Sequence, residues 1–263
     1  MEEFRHIRKY FHPFQPSPKP HSGEVMYEEI YPSGKIAEFV YCFWQLSSKE
    51  RLPEPYIYRV VSDGCIDIFF DRNNPADNSV MGFCRRYKEF ALGHDFDYIG
   101  IRFFPGVFPL LFKIDAKTIS DQDHPLKSVL PDFSRRIEEE IHRDLSFDKI
   151  VKKLSSELEG VVKKQKNSFD PRFLKALVYL LRQRGMLNTE SDLDTGLSPR
   201  QLRRVFNYYL GTTPKSFAKV VRFQNVLSSG DPKRYYEAGF FDQAHFIKDF
   251  KSFYGVTPHK AFK

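Results

Sequence analysis

Arg200, Arg203, Arg204 and Asn207 fall on one side of a helical stretch, with Gln201 in the same first turn. The other side carries Leu202, Val205, Phe206 and Tyr209 at i, i+3, i+4, i+7 spacing. Three guanidinium forks projecting from one face are anion chemistry. Each fork bonds two acceptors at once, as on guanine O6 and N7, or clamps a phosphate. A second stretch 44 residues further on repeats the frame. There Phe246, Phe250 and Phe253 form the apolar stripe, and Gln243, Ala244, Ile247, Lys248 and Lys251 face outward. Gln243 suits adenine, Lys248 suits guanine or phosphate, and Ala244 and Ile247 suit a thymine methyl. One such face alone reads equally well as a solvated helix surface. Two in one frame, in a basic region, point to double-stranded DNA.

The elements that must position these residues are strongly punctuated. Leu197–Phe206 is followed by Gly211-Thr212-Thr213-Pro214, and Phe241–Phe250 by Gly255-Val256-Thr257-Pro258. Each copy reads as a short helix, a turn at Gly196 or Gly239, and a second helix, which is a helix-turn-helix unit. A capping residue precedes proline at Asp170-Pro171, Ser198-Pro199, Thr213-Pro214, Asp231-Pro232 and Thr257-Pro258. The side-chain oxygen caps the helix, and proline fills the first helical position, where no N–H is needed. With Thr189 and Asp242 as further caps, seven short helices are predicted. The first has Leu174, Leu177, Val178 and Leu181 as its apolar face and stops at Gly185. Residues 167–263 carry 16 basic and 8 acidic side chains, whereas 1–166 carry 25 and 26. All the excess positive charge is therefore C-terminal.

At 263 residues, 41% hydrophobic and 29% charged, the chain suits two globular domains and excludes collagen, coiled-coil rods and wholly disordered chains. Residues 1–24, with Pro13, Pro16, Pro18 and Pro20, predict an extended arm. Residues 25–130 read as an antiparallel β sandwich or barrel. Its segments are Ile36–Leu46, Tyr56–Val61, Cys65–Phe70, Val80–Leu92 and Tyr98–Phe104. Ser62-Asp63-Gly64 predicts a hairpin between the second and third. In the last, Ile99, Ile101 and Phe103 alternate with Tyr98, Gly100 and Arg102, which predicts one buried face. Residues 131–166 predict two amphipathic linker helices. Their stripes are Phe133, Ile137, Ile141, Leu145 and then Phe147, Ile150, Val151, Leu154, Leu158, Val161, Val162. The second stripe packs on its own domain or pairs with a second copy. The polar run Lys163–Ser168 marks the boundary before 167–263.

The stretch from Asp170 to Lys263 resembles the DNA-binding domain of AraC/XylS-type transcription regulators. Gly196–Phe206, Gly211–Pro214, Gly239–Phe250 and Gly255–Pro258 carry the resemblance. It implies an all-helical domain whose two helix-turn-helix units are joined by a longer helix over about Pro214–Ser228. Fifteen residues give that strut roughly 22 Å. By register, the resemblance implies base contacts from Arg200, Arg203, Arg204, Gln243, Ala244, Ile247 and Lys248, with Gln201 added from the same turn. Lys215, Lys219 and Arg222 are candidate phosphate contacts or strut surface. Two departures fall in the leading helices. Thr189–Thr195 is short and acidic, and Asp231–Ala238 carries Tyr235 and Tyr236 in place of small, aliphatic packing. Phe39–Trp44, Ser62–Phe70 and Gly100–Gly106 are similar, less specifically, to a cupin-like β domain preceding such units. That implies a sensory or dimerisation module. Trp44, Arg59, Asp67 and Arg102 are candidate pocket residues; the alternative is aromatics in the core and charges at the rim.

G-x-x-x-x-G-K-[ST], H-E-x-x-H and G-x-S-x-G are absent, and no cluster of two His and a carboxylate offers a metal site. The chain is therefore expected to be no enzyme and to hold no cofactor or metal. Cys42, Cys65 and Cys84 form no C-x-x-C and fit free thiols. Met1–His6 has no apolar signal region, and no run suits a membrane span, so a cytoplasmic location is expected. Expected partners are double-stranded DNA, a small-molecule effector, RNA polymerase and a second copy of the chain. Two competing readings remain: an enzyme or ligand carrier in the β domain with an accessory helical module, and a helix-turn-helix repeat that binds protein.

Overall fold

The alternation in Tyr98–Phe103 governs the N-terminal architecture. The computed structural model describes residues 7–16, 24–165, 168–189, 191–231, 233 and 242–262. Helix α1 (Ile7–Tyr10) precedes strands β1 (Val25–Ile30), β2 (Val40–Ser48), β3 (Tyr56–Val60), β4 (Ile66–Asp71), β5 (Asn74–Met81), β6 (Lys88–Gly93) and β7 (Asp97–Phe103). Helix α2 (Val107–Phe112), strand β8 (Asp123–Pro125) and helices α3 (Leu126–Val129), α4 (Pro131–Glu140) and α5 (Phe147–Lys164) follow. The C-terminal region is helical: α6 (Pro171–Arg182), α7 (Pro199–Leu210), α8 (Pro214–Ser229), α9 (Gln243–Tyr254) and α10 (Pro258–Ala261). One antiparallel sheet has the order β1-β2-β7-β4-β5-β8, and β3 pairs with β6 in a second sheet. This is the expected α+β class, an antiparallel β domain ahead of a helical one.

On β7, Ile99, Ile101 and Phe103 are fully buried. The Phe103 ring meets Phe108 at 5.8 Å and Phe112 at 5.9 Å, and Phe112 meets Phe133 at 5.8 Å, so α2 and α4 cover this face. The opposite face is buried too, contrary to the one-faced expectation: Arg102 is only 3% exposed. The β3–β6 sheet covers it, with Phe90 reaching to 6.3 Å from Phe69. Gly100 has a packing reason. Any side chain there would run into the Trp44 indole, which lies across the β7 backbone.

The predicted hairpin does not form. β3 pairs with β6, whereas β4 pairs with β5 and β7. Ser62-Asp63-Gly64 is a turn that carries the chain between sheets. Asp63 Oδ1 accepts from Cys65 N–H at 2.9 Å, and Gly64 has φ +86°. A Cβ on Gly64 would stand 2.8 Å from the Phe217 ring, so α8 packs where the side chain would be. The Val80–Leu92 segment is also two strands, β5 and β6, with a break between them.

The arm is not an extended lead-in over 7–16. Ile7 and Phe11 are buried. Arg8 donates to Val40 O at 2.8 Å and Tyr41 O at 2.9 Å and sits over the Tyr31, Tyr41 and Phe104 rings. The stripe of α5 is buried against its own chain, which removes it as a surface for pairing copies. Leu145 lies beyond the end of α4.

Four caps bond as expected. Asp170, Ser198, Thr213 and Asp242 accept from Arg172, Gln201, Ser216 and His245 N–H, while Thr257 caps α10 without a side-chain bond. Five of the seven predicted helices are present among the described residues. The helix expected at Thr189–Thr195 is not. Asp192 Oδ2 instead accepts from Asn188 N–H at 2.8 Å, and Leu193 is the one apolar side chain buried there, too little to hold a helix. Most of Asp231–Ala238, including Tyr235 and Tyr236, together with Gly239 and Phe241, lies outside the described residues. No described helix is long and apolar enough to cross a membrane.

Candidate nucleic-acid interface and the adjoining cavity

Leu202, Phe206 and Leu210 anchor α7, with Phe206 5.3 Å from Phe173 and Tyr209 stacked on Phe173 at 4.3 Å. The opposite face leaves Arg200, Arg203 and Arg204 exposed, and none of them forms an ion pair among the described residues. Arg203 Nε rests on Pro199 O at 3.2 Å. Gln201 has a structural use beside the expected base contact. Its Oε1 accepts from Ser198 N–H at 3.0 Å while its own N–H donates to Ser198 Oγ at 3.3 Å, a capping box. Its carboxamide oxygen is committed to starting the helix.

On α9, Phe246, Phe250, Phe253 and Tyr254 are buried, whereas Gln243, Ala244, Ile247, Lys248 and Lys251 are exposed. The strut α8 is mostly interior. Lys219 pairs with Asp249 at 3.0 Å, and His245 lies 3.5 Å from the same carboxylate, so Lys219 ties α8 to α9. Arg222 is half-buried, and burial lowers its pKa. Lys215 alone of the three strut cations is fully at the surface.

Both α7 and α9 end on the β domain. Gly211 closes α7 at φ +71°, and a Cβ there would strike Ser120 Oγ and stand 2.8 Å from Ala116 O. Gly255 closes α9 at φ +96°, where a Cβ would stand 3.0 Å from the Tyr87 ring and 3.1 Å from Arg59 Nε. Ser62 N–H donates to Phe253 O and Tyr87 N–H to Ser252 O, each at 3.3 Å. The repeated glycine therefore seats each helix as well as ending it. Arg59, a candidate pocket residue, belongs to this seat. It pairs with Glu89 at 2.7 Å and sits over Tyr87, because it points opposite to Tyr58 and Val60 on β3.

A cavity of about 150 Å³ lies between the two sheets. Trp44, Asp67 and Arg102 line it as expected, with Tyr58, Asp63 and Phe90 among their neighbours. Trp44 Nε1 donates to Asp67 Oδ2 at 2.9 Å. Arg102 lies 3.0 Å from Asp67, 3.4 Å from Asp63 and 3.7 Å from Glu29. The Asp67 carboxyl is pushed up to about 6: burial raises it most, Arg102 pulls it down, and Asp63 raises it. Burial also raises all three thiols, Cys84 to about 12, which keeps them protonated and poorly reactive. No group of three or more His, Cys, Asp or Glu among the described residues could hold a metal ion.

Sequence reasoning missed Asp63 and two buried glutamines. Gln15 Nε2 donates to Val61 O at 2.9 Å and Asp63 Oδ2 at 2.7 Å, and its Oε1 accepts from Val61 N–H at 2.9 Å. Gln224 Nε2 donates to Ser62 O at 2.7 Å, and its Oε1 accepts from Phe14 N–H at 2.7 Å. Arm, cavity wall and α8 are thus bonded into one unit.

Residues 194–263 match a helix-turn-helix domain, and residues 28–125 match a domain of unknown function, DUF6597. Similar solved structures include ToxT from Vibrio cholerae, 13% identical over 84% of this chain and 97% of that one, with a TM-score of 0.43. ToxT from Vibrio cholerae O395 is 15% identical over 84% of this chain and 96% of that one, TM-score 0.40. The same protein bound to (E)-4-(8-methylnaphthalen-1-yl)but-3-enoic acid is 14% identical over 91% and 97%, TM-score 0.38. No curated protein matches the sequence.

Proposed function

We propose, from an AraC-type helix-turn-helix domain seated on an antiparallel β domain, that this protein is a sequence-specific DNA-binding transcription regulator. In this reading α7 and α9 enter adjacent major-groove segments. Arg200, Arg203 and Arg204 supply guanine and phosphate contacts, and Gln243, Ala244, Ile247 and Lys248 read the neighbouring bases. The observation that carries it is the pair of exposed outward faces at one register, 44 residues apart, each helix fixed by its terminal glycine on the same support. The reading needs no catalysis. The cavity is proposed to take an effector, which acts through residues 61–65: Asp63 lines it, and Ser62 bonds to both Gln224 and Phe253.

One chain already presents both reading helices. A homodimer requires some surface other than the buried α5 stripe, and RNA polymerase would be met by the faces of the C-terminal domain turned away from DNA. The test is selection of sites by the full-length protein from a random duplex pool, followed by a salt titration on the selected site. An enriched sequence is expected, with binding that falls with log salt at a slope of about −0.9 per phosphate neutralised. No enrichment, or a flat salt dependence, overturns the reading.

A further inference from the structure

We propose that the cavity between the two sheets takes a small aromatic ammonium ion, a single ring carrying one cationic nitrogen. This rests on the effector reading above and adds the class of ligand. Charge decides it. The wall carries Asp63 and Asp67 against the single cation Arg102, and Glu29 stands 3.7 Å from the guanidinium's other amino group. Arg102 is already engaged by both aspartates, at 3.0 and 3.4 Å. These groups are removed from bulk water: the side chains of Arg102, Asp63 and Asp67 are 4%, 11% and 14% exposed. Arg102 keeps its Nη1 without a hydrogen-bond partner among the described residues, but an anionic guest would still add another negative charge to a wall with two carboxylates against one guanidinium. A neutral guest would leave the excess uncompensated. A monocation brings the wall to neutrality, the condition under which buried charge is tolerated.

The remaining walls suit the same guest. Trp44, Tyr58, Phe69, Phe90 and Tyr98 bring aromatic rings to the cavity, and aromatic faces attract cations. Gly100 lets the Trp44 indole lie over the β7 backbone, and the bond to Asp67 fixes its N–H, so this ring is held beside the acidic end. A cavity of about 150 Å³ is the size that accepts benzene, which limits the guest to one ring with a short polar extension.

Trp44 is the chain's one tryptophan, so the emission of the whole protein reports on this cavity. The full-length protein is titrated with benzylammonium, benzyl alcohol and benzoate, three guests of one shape and three charges, following Trp44 emission and the melting temperature. Benzylammonium is expected to change the emission, raise the melting temperature and bind about tenfold or more tighter than benzoate. That factor is a low bound for a unit charge beside a poorly solvated carboxylate. Asp67→Asn is expected to erase the preference; if that variant does not fold, the charge series on the natural chain decides alone. Benzoate or benzyl alcohol binding as tightly as benzylammonium overturns the ligand class and leaves the effector reading standing. No response to any of the three overturns both.

Discussion

α7 and α9 end alike, on a glycine in the left-handed region packed against the β domain, but the two seats and the two outward faces differ. α7 rests on the turn Ala116–Ser120 and turns outward three arginines that form no ion pair among the described residues. α9 rests on Arg59, Tyr87 and Ser62, exposes mainly uncharged side chains with two lysines, and uses Asp249 to hold Lys219 of the strut. Affinity through charge therefore belongs mainly to α7. α9 is the helix bonded to the cavity wall, through Ser62 and Phe253. One repeated frame thus carries two different outward faces: a strongly cationic one on α7, and on α9 a less charged one whose seat is bonded to Ser62, beside the cavity residues Val61 and Asp63.

The largest effect should come from the seats. Gly211→Ala combines a left-handed backbone with a clash against main-chain and side-chain atoms of the 116–120 turn. It should lower stability by about 2–4 kcal/mol in urea unfolding of the full chain. Gly255→Ala meets only a ring edge and a flexible Arg59 side chain, so about 1–2 kcal/mol is expected. Equal losses would mean that the seats are equivalent. The outward faces come next. Arg203→Ala should cost about 1–3 kcal/mol at one base position and reduce the salt slope by about 1 if it also touches phosphate. Gln243→Ala should change base preference and leave the salt slope unaltered. The reverse assignment in binding titrations would invert the comparison.

Much of this was legible from local pattern. The 3.6-residue period separates Leu202 and Phe206 from Arg200, Arg203 and Arg204 whatever surrounds the helix, and the structure keeps that division. The capping box Ser198-x-x-Gln201 is equally local, but the exposure of Gln201 alone does not reveal that its oxygen is used. Ser62-Asp63-Gly64 misled because its turn chemistry is the same whether the chain reverses or crosses to another sheet. Its reason, Phe217, lies far along the sequence. On β3, apolar Ile57 is 60% exposed and Tyr58 only 8%, so hydrophobicity does not reveal which side faces the cavity, and Arg59 lies on the side away from it. The prolines of the arm mask the buried Phe11 and also Gln15, whose side-chain partners Val61 and Asp63 are distant in sequence.

A comparable effect tests the link between wall and strut. Gln224→Leu leaves Ser62 O and Phe14 N–H without their partner in a buried site. About 1–3 kcal/mol of stability should be lost, and α9 should feel it more than α7. Hydrogen exchange is expected to rise at Phe253 and Tyr254 before it rises at Leu210. Uniform acceleration in both helices would remove the distinction between their seats.

The last effect concerns the cavity's charge and fixes the sign of its pH dependence. Burial raises Asp67 from its ordinary range to about 6, which means the folded chain holds that proton more tightly than the unfolded chain does. Between about pH 4 and 6 the folded state therefore binds more protons at this site. Its contribution to stability then falls as pH rises through that window and is flat on either side. Asp67→Asn removes the titrating group while keeping an acceptor for the Trp44 N–H, so the difference between the two chains should grow only within that window. Urea midpoints from pH 4 to 7.5 measure it, and the natural chain should lose stability relative to the variant as pH rises. A gain instead would mean that Arg102 outweighs desolvation, so that the carboxylate is comfortable as an anion. The formal excess of Asp63 and Asp67 over Arg102 would remain, but Asp67 would already be stabilised as an anion without a cationic guest, and the charge preference of the cavity would be weaker.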